Sequence, residues 1–418
     1  LTENDTPIQR IPFEFSTDID YIKVYTDKIT LGAEEYAGTF TADISHTSIS
    51  SNVLMADGVH GIARTDGTQI VDAAFTTDTG KPSSEFDGIF SHQDRPYAWD
   101  SDDLAFYYGD VGAVTGQLTR FPLDRLGNIN GTITIITSMT VNAAHGMNDI
   151  LVIVTSTGWI VLYEGIDPGD ALDWRLLGRV KGAAPVSKFA VHSFGADLWL
   201  LTVRGIISVR ESLQRGVFAL TSPMSMAISD LVIADIKTGK SLRGWQMIAR
   251  QDEAQIFLNV PTISGFKQYI YDANAGAWQT SDYDARWLHD LDGNLDFTTS
   301  SGDLCRIGAA GDNGASITAE FYTSWIRLPR ASELSYLIPT IIADSELVVK
   351  ITVLTDHNDT AGDVAQAEQT VTIRPDNAGT QVSLDDLIGV NASGRVFQAR
   401  FEITGAKFSF ESLIAGVV

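Results

Sequence analysis

Apolar and polar residues alternate with a period of two through most of the chain, and glycine-containing turns interrupt the alternation. The clearest stretch is residues 149–165, DILVIVTSTGWIVLYEG, in which two apolar runs flank Ser156-Thr157-Gly158. Residues 197–209, DLWLLTVRGIISV, repeat the form about Arg204-Gly205, and residues 294–308, NLDFTTSSGDLCRIG, repeat it about Ser301-Gly302. Each has a threonine three residues before the glycine: Thr155, Thr202 and Thr299. Turns at Gly58, Gly109, Gly158 and Gly205 follow one another at spacings of 51, 49 and 47 residues. Gly302 lies 97 residues beyond Gly205, two such steps, and a turn at Gln251-Asp252-Glu253 fills the gap.

Six strand–turn–strand units at this period predict a β-propeller. A small sheet cannot bury both of its faces alone, and stacking such sheets in a ring buries them and protects their edges. Irregular hairpins that happen to be evenly spaced are the alternative. Residues 223–236 break the alternation, and Met224, Ile228, Leu231 and Val232 share one helical face, which predicts a short helix before the fifth unit. After about residue 315 the alternating runs lengthen and polar loops separate them, which predicts a C-terminal antiparallel β-sandwich. The expected organisation is all-β: an extended N-terminal arm over residues 1–20, a six-bladed propeller-like domain over 21–314 and a β-sandwich over 315–418. The boundary is expected in the small, polar segment 308–316.

At 418 residues the chain exceeds one ordinary core, which agrees with a repeat architecture plus a second domain. Acidic residues number 53 and basic ones 29, a formal charge of −24. That disfavours a general grip on nucleic acid or anionic lipid, both of which need a basic face. The single cysteine, Cys305, excludes an intramolecular disulfide framework and a cysteine-based metal finger. No apolar run is long enough to predict a membrane-spanning helix. The first residues, LTENDTPIQR, lack the pattern of a signal peptide and an initiator methionine, so processing or trimming there is expected.

Candidate chemistry is sparse. The seven histidines, His46, His60, His92, His145, His192, His289 and His357, show no metal-ligand spacing, and neither a phosphate-binding glycine loop nor a GxSxG elbow occurs. Asp290, Asp292, Asn294 and Asp296 alternate around Gly293, and oxygen ligands so placed suit Ca²⁺. The twelfth-position glutamate of an EF-hand loop is missing, and an Asp-Gly turn between strands explains the same residues without an ion. The turn is the preferred reading, so no metal, cofactor or catalytic residue is expected. The eight tryptophans suit either a sugar-stacking platform or blade packing, with packing favoured. Arg95, Arg120, Arg125, Arg175, Arg179, Arg204, Arg210 and Arg215 are interleaved with acids, and surface pairing is favoured over phosphate contact.

From about residue 86 to 330 the order of motifs resembles the propeller-type tail proteins of short-tailed bacteriophages, described as nozzle, tail hub or packaged-DNA-stabilisation proteins. The residues concerned are His92/Arg95, Phe121/Leu123, Asn148/Asp149, Thr155/Ser156/Gly158, Tyr163/Gly165/Asp167/Pro168, Trp174/Leu176/Gly178, Gly195/Asp197, Gly205 and Ser212/Leu213/Gln214. The first 80 and last 90 residues match poorly. The resemblance implies a structural virion protein, not an enzyme. It implies a homo-oligomer, typically a hexamer, assembled in the host cytoplasm and located in the viral tail. Its partners would be the head–tail adaptor, tail fibres or spikes, and double-stranded DNA that passes without specific binding until ejection. An acidic lumen would repel the duplex over about a Debye length, ~8–10 Å. Solubility or a saline habitat accounts equally for the charge. Two other readings stay open: a carbohydrate-binding or glycoside-cleaving propeller for host-surface recognition, and a bacterial protein–protein scaffold.

Overall fold

The computed structural model describes the chain apart from residues 1–5, 15–18, 41–42, 144–145, 216–224, 292, 309–316, 344–345, 356–366, 374–381, 385–387, 406–407 and 418. It divides into two compact units, Leu1–Ile307 and Gly308–Val418.

The first unit is a β-propeller of seven blades, not six. The blades span residues 9–37, 45–72, 88–122, 133–181, 191–208, 246–281 and 287–306. Each is an antiparallel sheet of three or four strands, and the third gains a parallel outer strand, Phe75–Thr77. The first strand of each blade lies innermost. The extra blade comes from the N-terminus: Gln9–Glu14, expected in an extended arm, pairs with Ile19–Val24 and forms the inner strand of blade 1. It escaped the spacing rule because the turn between its second and third strands, Tyr25-Thr26-Asp27, contains no glycine.

The rule also mixed three kinds of turn. Gly58, Gly158 and Gly302 lie between the second and third strands of their blades, and Gly205 opens the third strand of its own. Gly109 follows the third strand of blade 3, and Gln251-Asp252-Glu253 joins the first and second strands of blade 6, whose second-to-third turn is at Ser264-Gly265. Of the three threonines, Thr155 and Thr299 share a task, each accepting at Oγ1 the N–H four residues on, whereas Thr202 Oγ1 accepts the Arg204 N–H and donates to the Gly205 carbonyl. Thr155 Oγ1 accepts the Trp159 N–H at 3.0 Å, and the Gly158 N–H closes on the Thr155 carbonyl at 2.8 Å. Gly158 adopts φ 89°, and a Cβ there would sit 2.4 Å from the Ala183 carbonyl, so glycine is required. Thr155→Val keeps the shape but leaves the half-buried Trp159 N–H without its acceptor. A loss of about 1 kcal/mol in denaturant-melt stability is expected.

Adjacent blades are joined by apolar clusters. Ile11, Ile22, Ile44 and Met55 fill the seam between blades 1 and 2, and Leu54, Phe86, Ile89 and Tyr107 the next. Tyr97, Phe106, Ile153 and Trp174 join blades 3 and 4, and Val152, Ile160, Leu198 and Ile207 join blades 4 and 5. Trp199, Trp245, Leu258 and Tyr271 join blades 5 and 6, and Phe257, Ile270, Leu288 and Phe297 join blades 6 and 7. The helix Ser229–Gly239 starts later than expected, and its buried face is Ile228, Val232 and Ile236. Leu231, expected on that face, points to solvent, and Met224 lies outside the described residues.

The second unit is a single seven-stranded antiparallel sheet, nearly closed into a barrel, where a sandwich was expected. Its two 18-residue strands, Ile326–Ala343 and Ile388–Gly405, change partners along their length. Ile388–Gly405 pairs with Ile326–Ala343 through residues 388–397 and with Ile317–Tyr322 through residues 400–405. This exchange curls one sheet around Ile341, Val349, Ile351, Phe401 and Ile403. Period-two alternation is common to sandwiches and barrels, so the pattern alone did not separate them.

Candidate functional site: the axial channel of the propeller

Lateral hydrogen bonds set the inner strands side by side and in one direction. The Gln9 amide both donates to and accepts from the backbone of Ile44, and the Gln246 amide does the same with Leu288. Ser45 Oγ bonds the backbone of Ile89, and the Met247 N–H reaches the Phe189 carbonyl at 2.9 Å. Strand starts therefore meet at one mouth of the axis and strand ends at the other. Between them lies a channel of about 490 Å³, walled by Trp99, Phe189, Trp287, His46, His192 and several serines and threonines.

The two mouths differ in charge. At the strand-start mouth stand Asp43, Asp87, Lys188, Arg243 and Arg286, each just before an inner strand of a different blade. Lys188 spans the opening: Nζ donates to the Asp87 carbonyl at 2.5 Å. Burial pushes the Lys188 ammonium below its usual range, and Asp87, Asp43 and Asp57 oppose the shift. Burial likewise raises the Asp43 carboxyl, against the charges of Arg243, Lys188 and Arg286 and a hydrogen bond from the Gly244 N–H. Arg286 is lowered by burial, with Asp43 opposing. At the other mouth a cavity of about 690 Å³ is lined by Phe13, Ser50, Asp94 and Asp290 among others. Acids and bases therefore meet at the strand-start mouth, whereas the charged residues lining the strand-end cavity are acidic.

Four of the seven histidines belong to inner strands: His46 in blade 2, His92 in blade 3, His192 in blade 5 and His289 in blade 7. Burial holds each of them down at about 4. His92 Nδ1 lies 2.6 Å from Ser138 Oγ, while its Nε2 and both ring nitrogens of His289 have no hydrogen-bond partner among the described residues. Sequence reasoning looked for ligand spacing and missed them. The available signal was their separation, 46, 100 and 97 residues, close to one, two and two blade periods.

The calcium candidates do not converge. Asp290 pairs with Leu295, whereas Asp296 pairs with His289 and Asn294 with Leu291. Cross-strand partners share a face and neighbours alternate, so Asp290 lies on the opposite face from Asn294 and Asp296. Gly293, at φ 74°, makes the turn; Asp292 lies outside the described residues. Asp296 is instead buried and held by Tyr21 and Arg306. Among the described residues no group of three histidine, cysteine or acidic side chains is arranged to hold a metal ion.

Of the tryptophans, Trp99 and Trp287 face the channel, while Trp174 stacks on Tyr163 at 5.0 Å and Trp245 donates to the Gly239 carbonyl. Four of the eight candidate arginines are locally engaged: Arg95 with the Gly109 carbonyl, Arg120 with Asp103, Arg175 with Glu164 and Arg179 with the carbonyls of Leu126 and Gly127.

No protein-family model matches the chain, and no curated protein does. Among solved structures it is similar to a putative 6-phosphogluconolactonase from Bacteroides uniformis, at 10% identity and a TM-score of 0.38, covering 70% of this chain and 92% of that one. A second putative 6-phosphogluconolactonase, from Bacteroides fragilis, gives 10% identity and a TM-score of 0.39 over 70% and 90% of the two chains. The WD40 domain of SCAP from fission yeast gives 9% identity and a TM-score of 0.33 over 87% and 96%. The expectation that the chain is not an enzyme is corrected here, because similar structures include proteins described as putative lactonases. At this identity and TM-score the likeness carries neither their activity nor their substrates to this chain. What defines the class is the strand order itself: a seven-bladed propeller with a polar axial channel, followed by a barrel-like sheet.

Proposed function

We propose that this chain is a ring-forming component of a short-tailed bacteriophage tail, a nozzle or hub protein that surrounds the DNA path until ejection. The observation that carries this reading is where the resembling residues fall. They build consecutive blades in order. His92 and Arg95 face each other across the first turn of blade 3. Phe121 lies 5.6 Å from Tyr163, and Trp174 stacks on Tyr163 in the seam of blades 3 and 4. Asp173 and Asp167 cap the loop between Tyr163 and Trp174. Gly205 turns blade 5. A shared order of seam and turn residues supports descent from one blade arrangement better than any single motif does.

The propeller's own axis is not the DNA path. Its channel of about 490 Å³ holds roughly sixteen waters at ~30 Å³ each, far too little for a duplex. The duplex would pass through a larger opening bounded by several copies, with an adaptor above the ring and fibres or spikes beside it as its partners. The formal charge of −24 per copy favours passage over retention, since each basic phosphate contact would slow sliding.

Cryo-electron microscopy of the purified chain, with immunogold labelling of virions, tests the reading. A closed ring, labelled tails and no retention of duplex DNA at low salt are expected. Single copies at every concentration, with unlabelled virions, overturn it.

A further inference from the structure

The wall of the channel, which encloses about 490 Å³, carries polar groups of two kinds: those already bonded and those left over. Ser45 is taken up by the backbone of Ile89, and Gln246 by that of Leu288. Ser138 Oγ meets His92, and Ser193 Oγ donates to the Ser138 carbonyl. These serine and glutamine bonds join neighbouring blades. Lys188 Nζ is held by the Asp87 carbonyl. Among the described residues the His192 ring and the Thr137 hydroxyl make no hydrogen bond, although both line the channel. Asp149 accepts from Thr140 with one carboxylate oxygen and keeps the other. The three leftover groups come from two neighbouring blades, 4 and 5.

Aromatic rings complete the wall. Phe90 and Phe189 are half-buried, and Phe189 meets Trp287 edge-on with ring centroids 4.8 Å apart. Trp99 reaches the channel past the innermost strand of blade 3 because residue 88 is glycine; a Cβ there would sit 2.0 Å from the indole ring. The charged side chains of the wall are one ammonium, Lys188, and one carboxylate, Asp149. An anionic ligand would meet Asp149, and a cationic one would meet Lys188, so the lining favours neither. Burial keeps the His192 imidazole neutral, with one donor and one acceptor, whereas a carboxylate only accepts. Hydroxyl groups both donate and accept, so they satisfy all three leftover groups. A cavity of this volume, with aromatic walls and a few free polar groups, has the form of a small-ligand site.

We propose that the channel binds an uncharged cyclic sugar of monosaccharide size, with its hydroxyl groups bonded to Asp149, His192 and Thr137 and its C–H face against the aromatic part of the wall. The site lies within one propeller, so it stands or falls apart from ring assembly. Asp149 supplies an ionised acceptor, which binds a hydroxyl more strongly than a neutral one does. Thr137 and His192 belong to inner strands, whose pairing fixes their positions. The aromatic rings favour a cyclic sugar over a linear polyol, because a ring presents a flat apolar face.

The test follows tryptophan fluorescence and the thermal midpoint of the purified full chain. D-glucose, D-galactose, D-mannose, L-fucose and N-acetyl-D-glucosamine are added separately to millimolar concentrations, with sorbitol at equal osmolality as the control for solvent effects. A saturable response to at least one of the ring sugars, absent with sorbitol, is expected. Asp149→Ala, at an exposed position where folding is not threatened, should weaken the apparent affinity about tenfold. Thr137→Val, which keeps the shape, should weaken it about threefold. Gluconate and glucosamine extend the series to charged analogues. The proposal is overturned if no ring sugar acts beyond sorbitol, if a charged analogue binds more tightly than every neutral sugar, or if both variants respond as the wild type does.

Discussion

Lowering the pH from 7 to about 4.5 should unfold the propeller cooperatively, and the responsible groups are the buried histidines of the inner strands. His92 and His289 are 2% and 4% exposed, and burial holds both at about 4 against an ordinary value of 6.5. The folded state therefore refuses a proton that the unfolded chain accepts. Such a group contributes its full stability above pH 6.5 and loses it as the pH falls toward 4, because the unfolded state binds the proton first. Each contributes a loss of roughly 3 kcal/mol at the acid end. Two together remove about 6 kcal/mol, comparable with the whole stability of an ordinary domain.

The surroundings do not rescue the charge. His92 faces the Ser138 hydroxyl and the edge of Tyr97, with electrostatic support from Asp149. His289 faces Tyr21 edge-on, gains from Asp296 and is opposed by Arg10 and His46. Asp43 and Asp87 act in the opposite sense, since burial raises both and the folded state takes up their protons early, so they soften the transition without reversing it. Tryptophan fluorescence against pH reads the midpoint. His289→Leu, which replaces an unpartnered ring with an apolar side chain, should move that midpoint downward. An unchanged midpoint in His289→Leu and His92→Leu together would assign acid lability elsewhere.

The histidines also show what the sequence could and could not disclose. Period-two alternation and turn chemistry announced blades, because a four-stranded sheet writes its buried face directly into the residue order. Blade 1 stayed hidden because Tyr25-Thr26-Asp27 turns without glycine. The barrel stayed hidden because partner exchange by Ile388–Gly405 leaves the alternation unchanged. The candidate site was illegible for a different reason. Asp43, Lys188, Arg243 and Arg286 converge only because a ring returns each blade to the same axis, and no local motif encodes that meeting. Asp296 was noticed for its acidity, yet its neighbours are settled by ring closure, 275 residues away at Tyr21.

That closure leads to the second large effect: Arg10→Met should destabilise the propeller by about 3 kcal/mol and lower its melting temperature by roughly 6–10 °C. Six seams are filled by apolar clusters, but among the described residues the seam between blades 7 and 1 is held by polar contacts. Arg10 donates to Thr298 Oγ1 at 3.2 Å and to the Gly302 carbonyl at 2.7 Å. Tyr21 Oη donates to Asp296 at 2.9 Å, and Arg306 clasps the same carboxylate at 2.7 and 3.0 Å. Apolar packing tolerates small shifts, whereas a directed hydrogen bond fixes which two edges meet, so a polar latch suits the one seam that joins distant parts of the chain. Arg10 is buried, and methionine preserves its stem while removing both bonds and leaving the Gly302 carbonyl unpaired. Asp296→Asn loosens the neighbouring half of the latch, where partial exposure of Arg306 makes the expected loss smaller. Because both changes open one seam, the double variant should lose less than the sum of the singles. Hydrogen exchange should then quicken first in blades 1 and 7; uniform quickening across all seven blades would show that Arg10 supports the core generally and not the closing of the ring.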